Sequence, residues 1–145
     1  MAQKRDDPYR NFNFLVDFGA GDPVGFCEVV LPEGSIAVVE YREGSDKLNV
    51  ARKLPGRAHL GNVVLRRGFA GDLSLYAWWN GLRRGAQDFR AVRIELLSED
   101  RSSAVAAWHL QRAWPVRIAF GPLRGLGDEV LVETLELAFD DFELE

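Results

Sequence analysis

The sequence predicts a mainly β, α+β fold: an antiparallel β-sandwich or barrel with one α-helix, in a single domain over residues 1–145. Three observations carry that reading. Apolar and polar residues alternate at period two in segments along the whole chain, as in half-buried strands. Only Leu75, Trp78, Trp79 and Leu82 have the spacing of an amphipathic helix. The strand segments do not alternate with helices, as a parallel doubly wound sheet requires.

The first strand is read at residues 11–18, where Phe12, Phe14, Val16 and Phe18 alternate with Asn11, Asn13 and Asp17. Gly19-Ala20-Gly21-Asp22-Pro23 supplies a turn, and residues 24–31 read as the returning strand of a hairpin. Pro32-Glu33-Gly34 breaks the chain. Residues 35–42 are β-branched and aromatic and form a third strand. Over residues 43–57 the pattern lapses into Gly44, Ser45, Asp46, Asn49, Pro55 and Gly56, interleaved with Lys47, Arg52 and Lys53. That predicts a long loop or a protruding hairpin of ragged register, a connection of a length that is usually functional. Residues 59–67 resume as one strand, with Val63 and Leu65 on one face and Val64 and Arg66 on the other.

The helix is expected to begin near Asp72, whose carboxylate caps the first turn, and to end near Gly85 after Arg83 and Arg84. A helix this short is marginal alone, so Leu75, Trp78, Trp79 and Leu82 are expected to anchor it on a sheet. Residues 89–97 and 103–114 form two strands around Ser98-Glu99-Asp100-Arg101-Ser102. Val92, Ile94 and Leu96 share a face of the first; Ala106, Trp108 and Leu110 share a face of the second. Pro115 is expected to end that register, because it has no ladder donor. A short continuation at residues 116–120 and a loop at residues 121–127 follow. In the last strand, within residues 128–144, Leu135, Leu137 and Phe139 oppose Thr134, Glu136, Ala138 and Asp140, giving one apolar and one acidic face.

A chain of 145 residues buries roughly two thirds of its unfolded surface and needs no covalent staple. The one cysteine, Cys27, excludes a disulfide framework and favours an intracellular or redox-indifferent protein. The polar N-terminus lacks the apolar core of a signal peptide, so assembly in the cytoplasm is expected, and no 18-residue apolar run offers a membrane span. A net charge of -4 argues against a nucleic-acid-binding surface, although a conduit for DNA should avoid basic contacts.

Enzyme signatures fail individually. His59 and His109 are far apart and have no metal-ligand spacing, and no C-x-x-C is present. Gly125-Leu126-Gly127 opens like a dinucleotide fingerprint, but Val130 replaces the third glycine and a strand follows. The carboxylates of Glu133, Glu136, Asp140, Asp141, Glu143 and Glu145 read as a solvated strand face and tail rather than a glycosidase pair. No cofactor, metal or catalytic residue is expected.

The positive signal is an ordered set of segments across nearly the whole chain. It comprises Asp7-Pro8-Tyr9-Arg10-Asn11-Phe12, Glu40-Tyr41-Arg42-Glu43-Gly44, Arg52-Lys53-Leu54-Pro55-Gly56, Gly61-Asn62-Val63-Val64-Leu65-Arg66-Arg67-Gly68, the tryptophan helix, Ala113-Trp114-Pro115 and Glu133-Thr134-Leu135-Glu136-Leu137-Ala138. Their order and spacing resemble the tube proteins of contractile phage tails and related injection systems, including the type six secretion tube. The segment Phe26-Cys27-Glu28-Val29-Val30-Leu31-Pro32 departs from the family in lacking small Ser and Gly residues. The resemblance implies a tail-tube-like fold whose copies form hexameric rings, stacked into a hollow tube inside a sheath. It also implies baseplate or tube-initiator and terminator proteins as partners, with DNA or an effector protein as cargo.

On that reading Tyr41, Arg42, Arg52, Lys53, Leu54, Pro55 and Gly56 contact a neighbouring subunit or ring. Arg66 and Arg67 are candidates for ion pairs with a neighbour's acids. Thr134, Glu136 and Asp140 are candidates for the lumen lining. Three alternatives stand beside it: a tube-initiator paralogue, a monomeric ligand-binding β-barrel with Trp108 or Trp114 in its cavity, and a small hydrolase using the C-terminal carboxylates.

Overall fold

The computed structural model describes residue 2, residues 5–21 and residues 23–145. Asp22 of the expected turn, and Met1, Gln3 and Lys4 of the polar N-terminus, lie outside the described residues. The elements run β1 (Phe14–Asp17), β2 (Glu28–Val30), β3 (Gly34–Tyr41), β4 (Arg52–Leu60), β5 (Val63–Gly68), α1 (Ser74–Arg83), β6 (Arg90–Leu97), β7 (Ala104–Phe120), β8 (Val132–Ala138) and β9 (Asp141–Leu144). They divide into two compact units: Pro32–Gly61, and Met1–Leu31 with Asn62–Glu145.

The larger unit is an antiparallel sheet in the order β1-β6-β7-β8-β5-β2, with β9 also paired to β7. The mainly β fold with one helix is as expected; among the described residues the strand order stays open and does not close into a barrel. Among the described residues a single bridge, with the Val24 N–H donating to the Val16 carbonyl at 2.7 Å, joins β1 to the segment before β2. The expected hairpin between β1 and residues 24–31 is therefore replaced by another pairing, Glu28↔Arg66 to Val30↔Val64, on β5. Local pattern marks β2 as a strand, but packing of Val29 against the core selects its partner.

β7 is continuous through Pro115, correcting the expected break. Its first part pairs with β6 as far as Ala113 and with β9, and its second pairs with β8 from Trp114 onward. At the handover Arg112 has φ 54°, and the register shifts between Pro115 and Arg117. A proline without a ladder donor is tolerated at such a bulge. Two other expected strands divide: residues 59–67 break at Gly61 and Asn62, and the last strand breaks into β8 and β9, which returns to β7.

One core lies between the apolar faces, with Val16, Val63, Leu65, Ile94, Leu110 and Leu137 almost wholly buried. Trp108 packs against that cluster beside Leu110, while Val105 and Ala107 are buried on the alternate face of β7. Helix α1 adds Leu75 and Trp78 to the same core. It starts at Ser74, whose N–H donates to Asp72 Oδ1 at 2.9 Å, so the carboxylate acts from just outside the helix. It ends where Gly85, at φ 99°, and Ala86 return N–H bonds to the carbonyls of Leu82 and Gly81. Trp78 stands edge-on to Phe18 at 5.5 Å, and its indole N–H donates to the Asp88 carbonyl at 2.8 Å.

The smaller unit is the hairpin of β3 and β4, paired Tyr41↔Arg52, Val39↔Leu54, Val38↔Pro55, Ile36↔Ala58 and Gly34↔Leu60. The ragged register is a bulge whose extra residue lies on β4. Gly56 sits at it, and a Cβ there would stand 3.0 Å from both the Ala37 carbonyl oxygen and Val39 Cγ2. The close backbone approach therefore requires glycine.

Candidate assembly surfaces

The β3–β4 ribbon has little cover within its own unit. Every residue of β3 is exposed, and so is every residue of β4 except Leu60. Side chains alternate across a ribbon, so Val39, Tyr41 and Leu54 share one face and Ile36, Val38 and Pro55 the other. Both faces present exposed apolar side chains, and Leu48 and Val50 extend them into the connecting loop. A two-stranded ribbon is marginal in water, and exposed apolar patches mark interaction sites.

Within this ribbon Arg42 serves its own loop, donating from Nε and Nη2 to the carbonyls of Leu48 and Asp46, each at 3.1 Å. Arg52 lies over the Tyr41 ring at 6.0 Å. Lys53 stands opposite Glu40, Leu54 opposite Val39 and Pro55 opposite Val38. Arg52, Lys53 and Arg57 make no ion pair among the described residues.

Arg66 and Arg67 both have acidic partners in their own chain. Arg66 pairs with Glu28 across β2 and β5. Arg67 donates from Nε to Glu133 Oε1 at 2.6 Å, with side chains 11% and 1% exposed, and its guanidinium lies 3.5 Å from Asp72. Among the described residues Glu133 Oε2 has no hydrogen-bond partner. The Ser74 backbone N–H, then its hydroxyl, and the nearby Arg67 charge hold the Asp72 carboxyl below its ordinary range.

Glu133 thus corrects the expectation of a solvated acidic strand, because period two places it on the buried face with Leu135 and Leu137. On the opposite face Thr134 lies between Arg66 and Ala119, and Glu136 between Val64 and Arg117. With Glu28 beside Arg66, the charges on that face alternate in sign instead of forming an acidic field. Asp140 is not on it. It sits in the exposed turn between β8 and β9, its carboxylate 3.8 Å from Arg112.

Of the four helix positions, Leu75 and Trp78 are buried and Leu82 packs partly against the core. Trp79 is half-buried between Tyr76, at 6.2 Å between ring centroids, and the Arg83 guanidinium, at 5.2 Å.

Two further surfaces emerge only in the fold. A cleft of about 330 Å³ lies between β2 and the β1–β6 edge, lined by Phe14, Leu31, Leu96 and Trp108 with Cys27 among them. The loop between β7 and β8 exposes Leu123, Leu126 and Val130. Three aliphatic residues in a Gly- and Pro-rich loop were the available signal. Among the described residues no cluster of His, Cys, Asp and Glu could hold a metal, and no helix is long and apolar enough to cross a membrane.

Comparison with known proteins agrees with this geometry. The family described as T4-like virus tail tube protein gp19 matches residues 10–143. A chain in the six-fold symmetrised baseplate of the anti-feeding prophage superposes with a TM-score of 0.86 at 29% identity, covering 97% of both chains. A chain of the extended sheath–tube complex of an extracellular contractile injection system, PVC, has a TM-score of 0.84 at 22% identity, covering 95% of this chain and 91% of that one. A type six secretion system protein shares the fold at a TM-score of 0.60 and 12% identity, over 92% of this chain and 82% of that one. No curated protein matches the chain in sequence.

Proposed function

Because the chain belongs to the family of T4-like virus tail tube protein gp19, it is a structural subunit of a contractile tail or injection tube, and we propose that its whole role is geometric, without catalysis. Six copies close into a ring, and rings stack into a conduit for DNA or an effector protein. The six-fold symmetry of the baseplate containing a similar chain supports the ring number. The observation that carries the assembly is the β3–β4 ribbon, apolar and exposed on both faces. A neighbouring copy covers it, with Tyr41, Arg52, Lys53, Leu54 and Pro55 at the contact. Arg42 and Gly56 shape the ribbon from within.

The face bearing Thr134 and Glu136 lines the conduit. Its alternating charges, Glu28, Arg66, Glu136 and Arg117, leave little net field to hold a polyanion by counterion release. Asp140, in its turn, borders that lining without belonging to it. Outside the tube the partners are a sheath protein and the baseplate and terminator proteins at either end.

Light scattering and negative-stain microscopy of the purified protein test this directly. Hollow rings or tubes are expected, and Val39→Asp with Leu54→Asp should disperse them while far-ultraviolet circular dichroism stays β-rich. A wild-type protein that remains monomeric at high concentration would refute the reading. The tube-initiator reading, favoured by the baseplate match, predicts rings that do not extend.

A further inference from the structure

We propose that the β7–β8 loop of one copy seats in the cleft between β2 and the β1–β6 edge of another, a head-to-tail contact that rests on the tube reading. Three aliphatic side chains at the loop, Leu123, Leu126 and Val130, are 87%, 105% and 74% exposed. At such exposure the described residues of their own chain leave them largely uncovered, and clustered exposed apolar groups mark a contact surface.

The cleft offers the matching chemistry. Phe14, Leu31, Leu96 and Trp108 give it apolar walls, and about 330 Å³ is room for aliphatic side chains. Glu28 and Glu95 also line it, each paired with an arginine of its own chain, Arg66 and Arg93. The loop carries Arg124 between Leu123 and Leu126 and, further on, Asp128 and Glu129, so its charge does not favour an acidic partner. The match is therefore apolar: three aliphatic side chains on the loop and apolar walls in the cleft.

Position makes the contact intermolecular. The loop leaves β7 at Phe120 and enters β8 at Val132, the end of β8 paired with Gly68. Leu31 follows β2 at the other end of that ladder, where Val30 faces Val64 and Val63 faces Leu137. Loop and cleft therefore lie toward opposite ends of the sheet. A contact joining two different patches of identical chains is heterologous, so it either closes a ring or propagates along a stack.

Cys27, the one cysteine, lines the cleft and is exposed, so it reports on its occupant. Leu123→Cys, Leu126→Cys and Val130→Cys each put one thiol on the loop, scanning the short Cα separation a disulfide demands. Assembled protein is oxidised with diamide, which takes up the two thiol hydrogens, and run on a non-reducing gel. A ladder of dimers and higher species is expected from at least one variant, and Cys27→Ser should abolish it. A ladder ending at the ring number places the contact within a ring, and a longer one places it between rings; either supports the proposal. Rings or tubes that form without a ladder from any of the three variants would overturn the contact and leave the tube reading intact. Wild-type protein that forms neither rings nor tubes would overturn both.

Discussion

Replacing Glu133 by alanine leaves the Arg67 guanidinium inside the protein without its main partner. The two side chains are 1% and 11% exposed, and the Nε to Oε1 distance is 2.6 Å. Breaking a buried ion pair by removing one partner costs about 3–5 kcal/mol, because the surviving charge is uncompensated. Asp72, 3.5 Å from Arg67 but 61% exposed, offsets part of that loss, which sets the expectation at the lower end, about 3 kcal/mol. At this chain length that is a fall in melting temperature of roughly 10 °C. The pair itself is a different matter: Arg67→Met with Glu133→Leu replaces both charges by apolar groups and should fall within about 1 kcal/mol of wild type or above it. Urea denaturation of wild type, Glu133→Ala, Arg67→Met and the double variant at one protein concentration completes the cycle. A Glu133→Ala loss below 1 kcal/mol, or a double variant as unstable as the worse single one, would refute the assignment of a buried, uncompensated charge.

Other expectations concern the helix, the hairpin and a turn. Trp78→Ala should cost about 3–5 kcal/mol in denaturant titration, whereas Trp79→Ala, at the half-buried position beside it, should cost about 1 kcal/mol or less. Gly56→Val puts side-chain atoms where a Cβ would already stand 3.0 Å from Ala37 and Val39, so ring formation seen by microscopy should fail while the larger unit keeps its melting transition. The Asp100 carboxyl is lowered to about 2, first by the Ser98 hydroxyl and then by the Ser102 hydroxyl and N–H. A depressed acid stabilises fully above its unfolded value near 4 and loses that contribution as pH falls towards 2. Protection of the Ser102 amide should therefore drop over that window, and Asp100→Asn should remove the dependence.

The residues that read as strands owe that legibility to period two, a local property. Phe14, Val16, Leu135 and Leu137 announce their elements without reference to any partner, and Leu75 and Trp78 likewise place the helix against a core. The family followed from ordered motifs because they span the chain in one sequence order. Even the burial of Glu133 was written in its phase with Leu135 and Leu137; its acidic chemistry drew the reading outward, and only the arrival of Arg67 across β5 makes an inward carboxylate tolerable.

What the tertiary structure alone decided is who pairs with whom. Hydrogen bonding in a sheet joins residues distant in sequence, so β2 chooses β5 over its neighbour β1, and β7 exchanges β6 and β9 for β8 at a bulge where Pro115 needs no donor. Those pairings set Arg66 beside Thr134 and Arg117 beside Glu136 and turn an acidic strand into a charge-balanced face. They also separate the aliphatic β7–β8 loop from the cleft beside Trp108, because each patch gathers residues from strands that meet only in the folded sheet. Sequence alone determined where most strand segments lie, the helix and the family; the long-range ladder determined where the strands end and the surfaces on which a subunit's function depends.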